Sequence, residues 1–361
     1  MKKNIMLKSF IKYVTLNVIG MIGFSCYILA DTYFVSKGMG ANGLTSLNLA
    51  IPVYTFINGI SLMIGIGGGA KYVLLSAKGE KDKANTIFTS SVQAGILCGL
   101  AFLTVGILLG NKISYILGAD NVTFAMTSLY LKTIMAFAPF IILNNIFLVF
   151  VRNDGNPKLS MLGMLFGSFS NIILDYVFIF PLNLGIFGAA FATGLSPVIS
   201  MIILSIYLLK RKNQFHLKKE KLNIKEVIKL CGTGASSFIT EISSGIVLIV
   251  FNMVILKLKG NIGVAAYGIV ANLALVVMAI FTGIAQGVQP LVSKSYGNKE
   301  KEQLYYILKY SIFLSITIAI LVYGIVFFST DTLVSIFNKE KNRELSNLAV
   351  SGIHIYFTGF L

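Results

Sequence analysis

Long apolar segments recur along this chain of 361 residues and constrain its fold more than any other feature. Windows of about 20 residues, enough for a helix to cross the hydrocarbon core of a bilayer, occur ten times. They lie near residues 13–36, 45–70, 86–109, 128–151, 158–181, 185–209, 230–256, 263–291, 304–328 and 346–361. The last window holds only about 16 residues, so we expect the tenth helix to be incomplete. The pattern predicts an all-α, polytopic membrane protein with about ten transmembrane helices in the lipid bilayer.

Positive charge is concentrated in the short segments between these windows. The chain carries 30 Lys and Arg against 14 Asp and Glu, a net charge of +16. With the N-terminus in the cytoplasm, 21 basic residues fall on inner segments, 8 on outer segments and Lys309 within a span. This distribution satisfies the positive-inside rule and predicts the orientation. Nucleic-acid binding would need a basic face on a soluble fold, so we expect no nucleic-acid partner.

An internal repeat relates the two halves of the chain. The segment GIGGGAKYVLLSAKGEKDKAN from Gly65 aligns without gaps with GIAQGVQPLVSKSYGNKEKEQ from Gly283, at an offset of 218. Upstream, GANGL from Gly40 matches GNIGV from Gly260 at an offset of 220. Six spans separate the copies, so both copies face the same way, related by an axis along the membrane normal.

The repeat predicts two pseudo-symmetric helical bundles. Residues 1–209 form an N-terminal six-helix lobe, residues 210–229 a basic cytoplasmic linker, and residues 230–361 an incomplete C-terminal lobe of helices 7–10. Two bundles around a central cleft permit alternating access, in which a site opens to one side at a time. The architecture favours a transporter over a channel.

Three acidic residues, Asp31, Asp175 and Glu241, lie inside predicted spans. A charge deep in a bilayer costs several kcal/mol, and in a transporter it usually marks an ion or substrate pathway. Asp31 and Asp175 each lie about 9 Å from the outer end of their span and therefore share one depth. Glu241 lies about 18 Å from the inner end of the seventh span, near the midplane. We predict ion coupling through all three, with satisfied structural acids as the alternative, and we expect no Lys or Arg at these depths to pair with them.

Amide side chains near these acids are candidates for a polar network. Asn171 precedes Asp175 by four residues and lies on the same helix face, where it offers a donor to the carboxylate. Asn144 and Asn145 on the fourth span are expected to join that network.

Two further amides are candidates for the cleft. Shifting the alignment of the two copies by one further residue places Asn252 opposite Asp31. Gln286 lies in the eighth span. Either amide lines the cleft or makes an interhelical hydrogen bond. The spans contain no HExxH or GxSxG motif, and the three cysteines stand alone, so we expect neither an enzyme, nor a metal site, nor a cofactor.

Several stretches resemble the multidrug and toxic compound extrusion (MATE) family, in particular its multidrug pumps from Gram-positive bacteria. ADTYFVSKGMGANGLTSLNLAIP resembles the end of that family's first helix and the start of its second, including the aspartate that is Asp31 here. RNDGNPKLSMLGMLFGSFSNIILDYVFIFPLNLGIFGAAFAT resembles the loop before its helix 5 and helices 5 and 6, including Asn171 and Asp175. The glutamate of helix 7 matches Glu241.

The resemblance implies a fold and a function. Family members have twelve helices in two six-helix lobes around an outward-opening cavity, so about two and a half helices are missing here. They export small lipophilic organic cations across the bacterial plasma membrane by antiport with H+ or Na+. We expect a monomer. A proline in the first helix, linked to bending in some relatives, does not occur here.

The predicted mechanism couples the acids to the cargo. Asp31 and Asp175, close together and away from water, would hold one proton near neutral pH. Glu241 and aromatic side chains in the cleft would attract the cation. A flippase for lipid-linked saccharides is one alternative, but it would need basic residues in the cleft, and none is expected. A truncated, inactive product is the other.

Overall fold

The computed structural model describes residues 2–337 and 343–360, and nearly all of them are helical. The helices are α1 Asn4–Gly40, α2 Asn42–Ala77, α3 Lys81–Ile116, α4 Phe124–Asn153, α5 Pro157–Ile179, α6 Gly185–Leu209, α7 Ile224–Ile255, α8 Ile262–Gly297, α9 Lys301–Phe328, α10 Thr330–Phe337 and α11 Arg343–Phe357. Two pairs, α1 with α2 and α7 with α8, belong to continuous helical runs, Lys2–Ala77 and Ile224–Gly297, each broken at one glycine.

The helices have the length and polarity that a bilayer requires. Within residues 2–337 and 343–360, nine helices, α1 to α9, are long and apolar enough to cross a membrane. The tenth predicted window is occupied by α11, which has 15 residues. The predicted all-α, multi-pass fold is therefore confirmed.

The two glycine breaks have the same backbone conformation. Gly40 has φ 63° and ψ −154°, and Gly260 has φ 62° and ψ −156°. This region is open almost only to glycine, because a Cβ atom would clash with the backbone there. The breaks lie 220 residues apart, as the GANGL and GNIGV match predicted, so α1–α2 and α7–α8 are equivalent pairs.

The offset of 220 also relates the turns that follow α2 and α8. This corrects the sequence alignment of the glycine-rich segments, which was made at an offset of 218. Helices α2 and α8 both have 36 residues. The turns after them contain Gly79 with φ 80° and Lys299 with φ 59°, and the following helices begin at Lys81 and Lys301. The offset of 218 was wrong by two residues, or about 200° around the helix axis. Glycine-rich helices offer many chance matches, and these shifted the alignment.

The largest apolar core belongs to the first lobe, α1 to α6, and α4 runs through its centre. Side chains of α4 such as Leu131, Ile142 and Phe150 are fully buried. Helix α4 therefore positions the polar residues near its middle and at its end against α1, α2 and α5.

The first half of α1 packs against the second lobe, α7 to α11. A separate apolar cluster joins α1 to α8 and α9, with Met6, Phe10, Val14, Ile284, Val288 and Ile307 as its buried members. Helix α1 thus contributes to the packing of both halves of the chain.

The connections after α2, α4, α6 and α8 lie at one end of the bundle, which we call the basic end. Near it, α2 and α7 cross in direct backbone contact. A Cβ atom on Gly67 would overlap the carbonyl oxygen of Leu230, and one on Gly234 would overlap that of Met63. Only glycine permits this approach, so the two lobes are closely apposed on this side.

The connection from α6 to α7, residues 210–223, is packed onto the first lobe. Helix α7 begins at Ile224, so the predicted linker, residues 210–229, also contains the first turns of that helix. Phe215 is 1% exposed and packs on the rings of Tyr72 and Phe88.

The carboxylate of Asp154, just after α4, anchors this connection. It accepts hydrogen bonds from the Tyr72 hydroxyl at 2.6 Å, from the Tyr207 hydroxyl at 3.0 Å and from the Gln214 backbone N–H at 2.7 Å. One side chain therefore joins α2, α6 and the connection that leads to the second lobe.

Candidate functional site

Asp31 and Asp175 meet inside the first lobe. Asp31 on α1 is 7% exposed, and Asp175 on α5 is fully buried. The two carboxyl groups lie within hydrogen-bonding reach of each other. A hydrogen bond between two carboxyl oxygens requires a proton on one of them, so two acids in this arrangement can share one proton.

Asn171 fixes the position of this carboxyl pair. With its amide nitrogen towards Asp175, Asn171 donates to Asp175 Oδ2 at 2.9 Å, and its oxygen accepts from the Thr193 backbone N–H at 3.2 Å. Asn171 is itself fully buried. The α5 and α6 backbones thus support one side of the pair.

Two tyrosines connect the carboxyl pair with a cavity between the lobes. The hydroxyl groups of Tyr27 and Tyr54 lie 2.9 Å apart. Tyr27 lies within electrostatic reach of Asp31, and Tyr54 within reach of both Asp31 and Glu241. The tyrosine pair therefore stands between the carboxyl pair and the third acid.

Glu241 lies beside Asn58 and Gly59 on α2 of the first lobe. Asn58 Oδ1 accepts a hydrogen bond from Asn145 Nδ2 at 2.8 Å. The same Asn145 nitrogen donates to Ser61 Oγ at 2.6 Å. Asn145 thus belongs to the Glu241 network, which corrects its predicted place beside Asp175. Sequence spacing gave its depth but not the direction in which its side chain points.

A cavity of about 90 Å³ lies among these residues and is lined by both lobes. The aromatic side chains of Phe24, Tyr27 and Tyr54 contribute to its wall, together with Glu241. Its polar lining also includes Asn58, Asn144, Asn145, Arg152, Thr193 and Gln286. An acidic group and aromatic faces in one cavity suit an organic cation.

The other predicted amides differ in placement. Asn144 is 8% exposed, and its Oδ1 has no hydrogen-bond partner in the described part of the chain. Asn252 is half-buried on α7 and is not in the described lining of the cavity. At the corrected offset, Phe251 rather than Asn252 is the counterpart of Asp31. The amides of α4 therefore belong to the cavity, whereas Asn252 does not.

Arg152 is a site residue that sequence reasoning missed. It lies in the last turn of α4 and is 1% exposed. Its Nη1 donates to Asn17 Oδ1 on α1 at 2.8 Å and to Gln286 Oε1 on α8 at 2.9 Å. The apolar window ended one residue earlier, so Arg152 was counted with the loop. The expectation of a cleft without basic residues was wrong.

Comparison with known proteins places these features in a family. The MatE family model matches residues 18–177 and 237–361. The multidrug export protein MepA of Staphylococcus saprophyticus is 29% identical over 374 residues, covering 100% of this chain and 82% of its own. MepA of Staphylococcus aureus is also 29% identical, over 357 residues, covering 95% of this chain and 78% of its own.

Solved structures share the fold. A MATE protein crystallised in complex with MaD3S superposes with a TM-score of 0.90 at 22% identity, covering 98% of this chain and 79% of that protein. An outward-facing multidrug resistance MATE transporter of the MOP superfamily gives 0.89 at 23% identity, with 98% and 79% covered. A MOP superfamily transporter from Pyrococcus furiosus gives 0.89 at 22% identity, with 97% and 79% covered.

Proposed function

Because the chain belongs to the MatE family, we propose that it is a secondary antiporter that exports lipophilic organic cations in exchange for H+ or Na+. Membership places it among multi-pass membrane transporters rather than enzymes, and the resemblance to the multidrug and toxic compound extrusion family is confirmed. The relatives named multidrug export proteins support the cargo class. The bacterial plasma membrane, a cytoplasmic basic end and a monomeric state are parts of the same proposal.

The buried pair of neighbouring carboxyl groups is the observation that carries this proposal. Asp31 and Asp175 are held together, away from water and away from any basic partner among the described residues. Two such carboxyls can share one proton, but two ionised carboxylates at this spacing repel each other. Loss of the proton therefore favours a different packing of α1 against α5. A cation such as Na+ between the two groups would have a comparable effect.

Glu241 supplies the cation-attracting group in our proposal. It is the acidic residue in the described cavity wall, and it enters from the second lobe. Charge attraction and cation–π contact with Tyr54 and Phe24 would hold a lipophilic cation there. The cavity of about 90 Å³ is smaller than the roughly 300–1,000 Å³ of drug-sized sites, so the lobes have to separate before a drug can bind.

Antiport follows if the ion and the drug favour different arrangements of the lobes. The Tyr27–Tyr54 pair supports such coupling, because it links the carboxyl pair to the cavity that contains Glu241. A flippase for lipid-linked saccharides is less well supported, since a pyrophosphate would need several basic groups. The described cavity wall contributes one, Arg152, which already binds Asn17 and Gln286.

Efflux from vesicles tests the proposal. In proteoliposomes loaded with ethidium, we expect an imposed pH gradient to drive export by the wild type, whereas Asp31→Asn and Asp175→Asn lose this dependence. Glu241→Gln should raise the ethidium concentration needed for half-maximal export. Replacing the pH gradient with a Na+ gradient identifies the coupling ion.

The control for this experiment is Asp120→Asn, because Asp120 lies in the exposed turn before α4, outside the spans. That variant should export like the wild type. Unchanged coupled efflux in all three site variants would reject the assignment of these acids. Ethidium accumulation in drug-sensitive cells that express the chain tests whether it exports drugs at all.

A further inference from the structure

An apolar groove of about 510 Å³ lies on the lateral surface of the first lobe, between α2 and α3. Its wall includes Phe56 and Ile60 of α2 and Ala101 and Val105 of α3. Phe56, Ala101 and Val105 are exposed, so the groove opens sideways, towards the surroundings of the bundle. It shares no wall residue with the cavity that contains Glu241, and the proposed antiport does not use it.

The described wall of this groove is apolar throughout. It is completed by proline, valine, cysteine, phenylalanine, isoleucine and methionine side chains: Pro52, Val53, Cys98, Phe102, Ile113 and Met135. Water needs several polar partners to stay in such a space, and a charged group would lose its hydration there without gaining a partner. The wall therefore suits a hydrocarbon chain.

The groove extends along α3 through one half of the membrane. Cys98 lies at the middle of α3, and Ile113 lies near the end of that helix opposite the basic end. The distance from Cys98 to Ile113 along the helix is about 22 Å. Half of a bilayer, including its headgroups, is about 20–22 Å thick. The length of the groove therefore matches one acyl chain of a single leaflet.

A positive charge lies at the headgroup end of the groove. Lys112 follows Val105 by about two helical turns and lies within about 20° of the same face of α3. It is exposed, and no ion pair to it is found within residues 2–337 and 343–360. The carboxylate of Asp120, in the following turn, accepts from the backbone N–H groups of Val122 and Thr123 instead. Lys112 is therefore available to a lipid phosphate.

A second lysine, Lys132 of α4, lies at the same depth. Its stem packs on Gly110 of α3, where Cγ and Cε are 2.7 and 3.2 Å from the position of a Cβ atom. It precedes the wall residue Met135 by about one turn, and the described residues give it no ion pair either. Two lysines near this end attract an anionic headgroup and repel a cation, so the groove does not suit the proposed cargo.

We propose that the groove between α2 and α3 binds one acyl chain of an anionic phospholipid, with its phosphate at Lys112 and Lys132. The lipid belongs to the leaflet opposite the basic end. Its chain fills the space between the two helices, and its headgroup neutralises the two lysines. The site is separate from the ion-coupling acids and requires no transport activity.

Photolabelling in lipid vesicles tests this site. The purified full-length chain is placed in phosphatidylcholine vesicles with a small fraction of phosphatidylglycerol that carries a diazirine in one acyl chain, and labelled residues are identified by mass spectrometry. The internal reference is Leu321, which corresponds to Ala101 at the offset of 220 and is exposed on α9 outside the groove. We expect several-fold more label at Phe56 and Val105 than at Leu321.

Two variants separate the acyl chain from the headgroup. Ala101→Phe fills the groove and should lower its labelling to the level of Leu321, whereas Ala265→Phe, at an exposed position on α8, should label like the wild type. Lys112→Gln should lower labelling by phosphatidylglycerol about fivefold. Its matched control is Lys37→Gln, which removes the same charge beside the ring of Phe180 and should have no effect.

The same diazirine on phosphatidylcholine tests the charge of the headgroup. It should label the groove of the wild type about fivefold less than phosphatidylglycerol does. Equal labelling by the two lipids rejects the anionic headgroup, and equal labelling of the groove and Leu321 rejects the site, even if Ala101→Phe does not fold. Cross-links from the groove to a second copy of the chain, or loss of label on adding a lipophilic cation, would assign the groove to another occupant.

Discussion

At the scale of single residues, Asp154 connects more chain segments than any loop residue described above. Its carboxylate binds Tyr72 of α2, Tyr207 of α6 and the backbone of Gln214. Removing a partly buried acceptor leaves these donors without a partner, at about 1–3 kcal/mol for each group. We predict that Asp154→Ala releases residues 210–223, so that trypsin cleaves their basic residues at least about tenfold faster than in the wild type.

The control for Asp154→Ala is Asp120→Ala. Asp120 also accepts backbone hydrogen bonds, from Val122 and Thr123, but it lies in the turn between α3 and α4. This variant should leave cleavage within residues 210–223 unchanged. Equal cleavage rates in both variants and the wild type would show that Asp154 does not anchor the connection.

Individual positions differ in how far the sequence could predict them. The rise per residue gave Asp31 and Asp175 one depth, and the four-residue spacing put Asn171 beside Asp175. Depth alone did not give the direction of Asn145, which depends on how α4 is rotated against α2. Arg152 was missed because hydropathy windows end where charges begin, although tertiary packing can bury the last turn of a helix.

At the scale of helices, Gly40 and Gly260 separate consecutive spans within two continuous helical runs. Neither glycine has an atom within 4 Å of where a Cβ would lie, so a substitution tests backbone strain alone. At these dihedral angles, strain costs about 1–3 kcal/mol for other residues. We predict that Gly40→Ala and Gly260→Ala each lower the unfolding midpoint of the purified chain, and by similar amounts.

Gly324→Ala is the matched control for these variants. Gly324 lies within α9 and also has open space where a Cβ would lie, but its backbone is helical. Alanine should be neutral there or stabilise the helix by up to about 1 kcal/mol. A midpoint for Gly40→Ala as high as that for Gly324→Ala would mean that the break at Gly40 is not strained for alanine.

The sequence predicted the helices better than their register. Long apolar windows identified the nine membrane-length helices because bilayer thickness sets their length. The GANGL and GNIGV segments revealed the equivalent breaks, since positive φ restricts both sites to glycine. Glycine matches within α2 and α8 shifted the alignment by two residues, because close packing uses glycine at many helix positions.

At the scale of the whole molecule, the crossing of α2 and α7 brings the two lobes into backbone contact near the basic end. A leucine at Gly234 would collide with the backbone of Met63 and force the lobes apart on this side. Cys231, one turn away on α7, is half-buried in the described structure. With Cys26 and Cys98 replaced by serine, we predict that Gly234→Leu increases the rate of maleimide labelling at Cys231.

Gly232→Leu provides the matched control on the same helix. Gly232 is exposed and has no atom within 4 Å of its Cβ position, so leucine fits there without moving α2. Labelling of Cys231 should then stay near the wild-type rate. If both leucine variants label alike, the α2–α7 crossing does not control access to this end.

Helix α1 is anchored in both lobes. Phe10 packs against α8 and α9 of the second lobe, whereas Asp31, about 32 Å further along the axis, contacts Asp175 of the first. No proline interrupts the residues between them, so the segment has no built-in kink. A tilt of about 5° about one end would displace the other by about 3 Å, which makes α1 a stiff lever arm between the carboxyl pair and the opposite bundle.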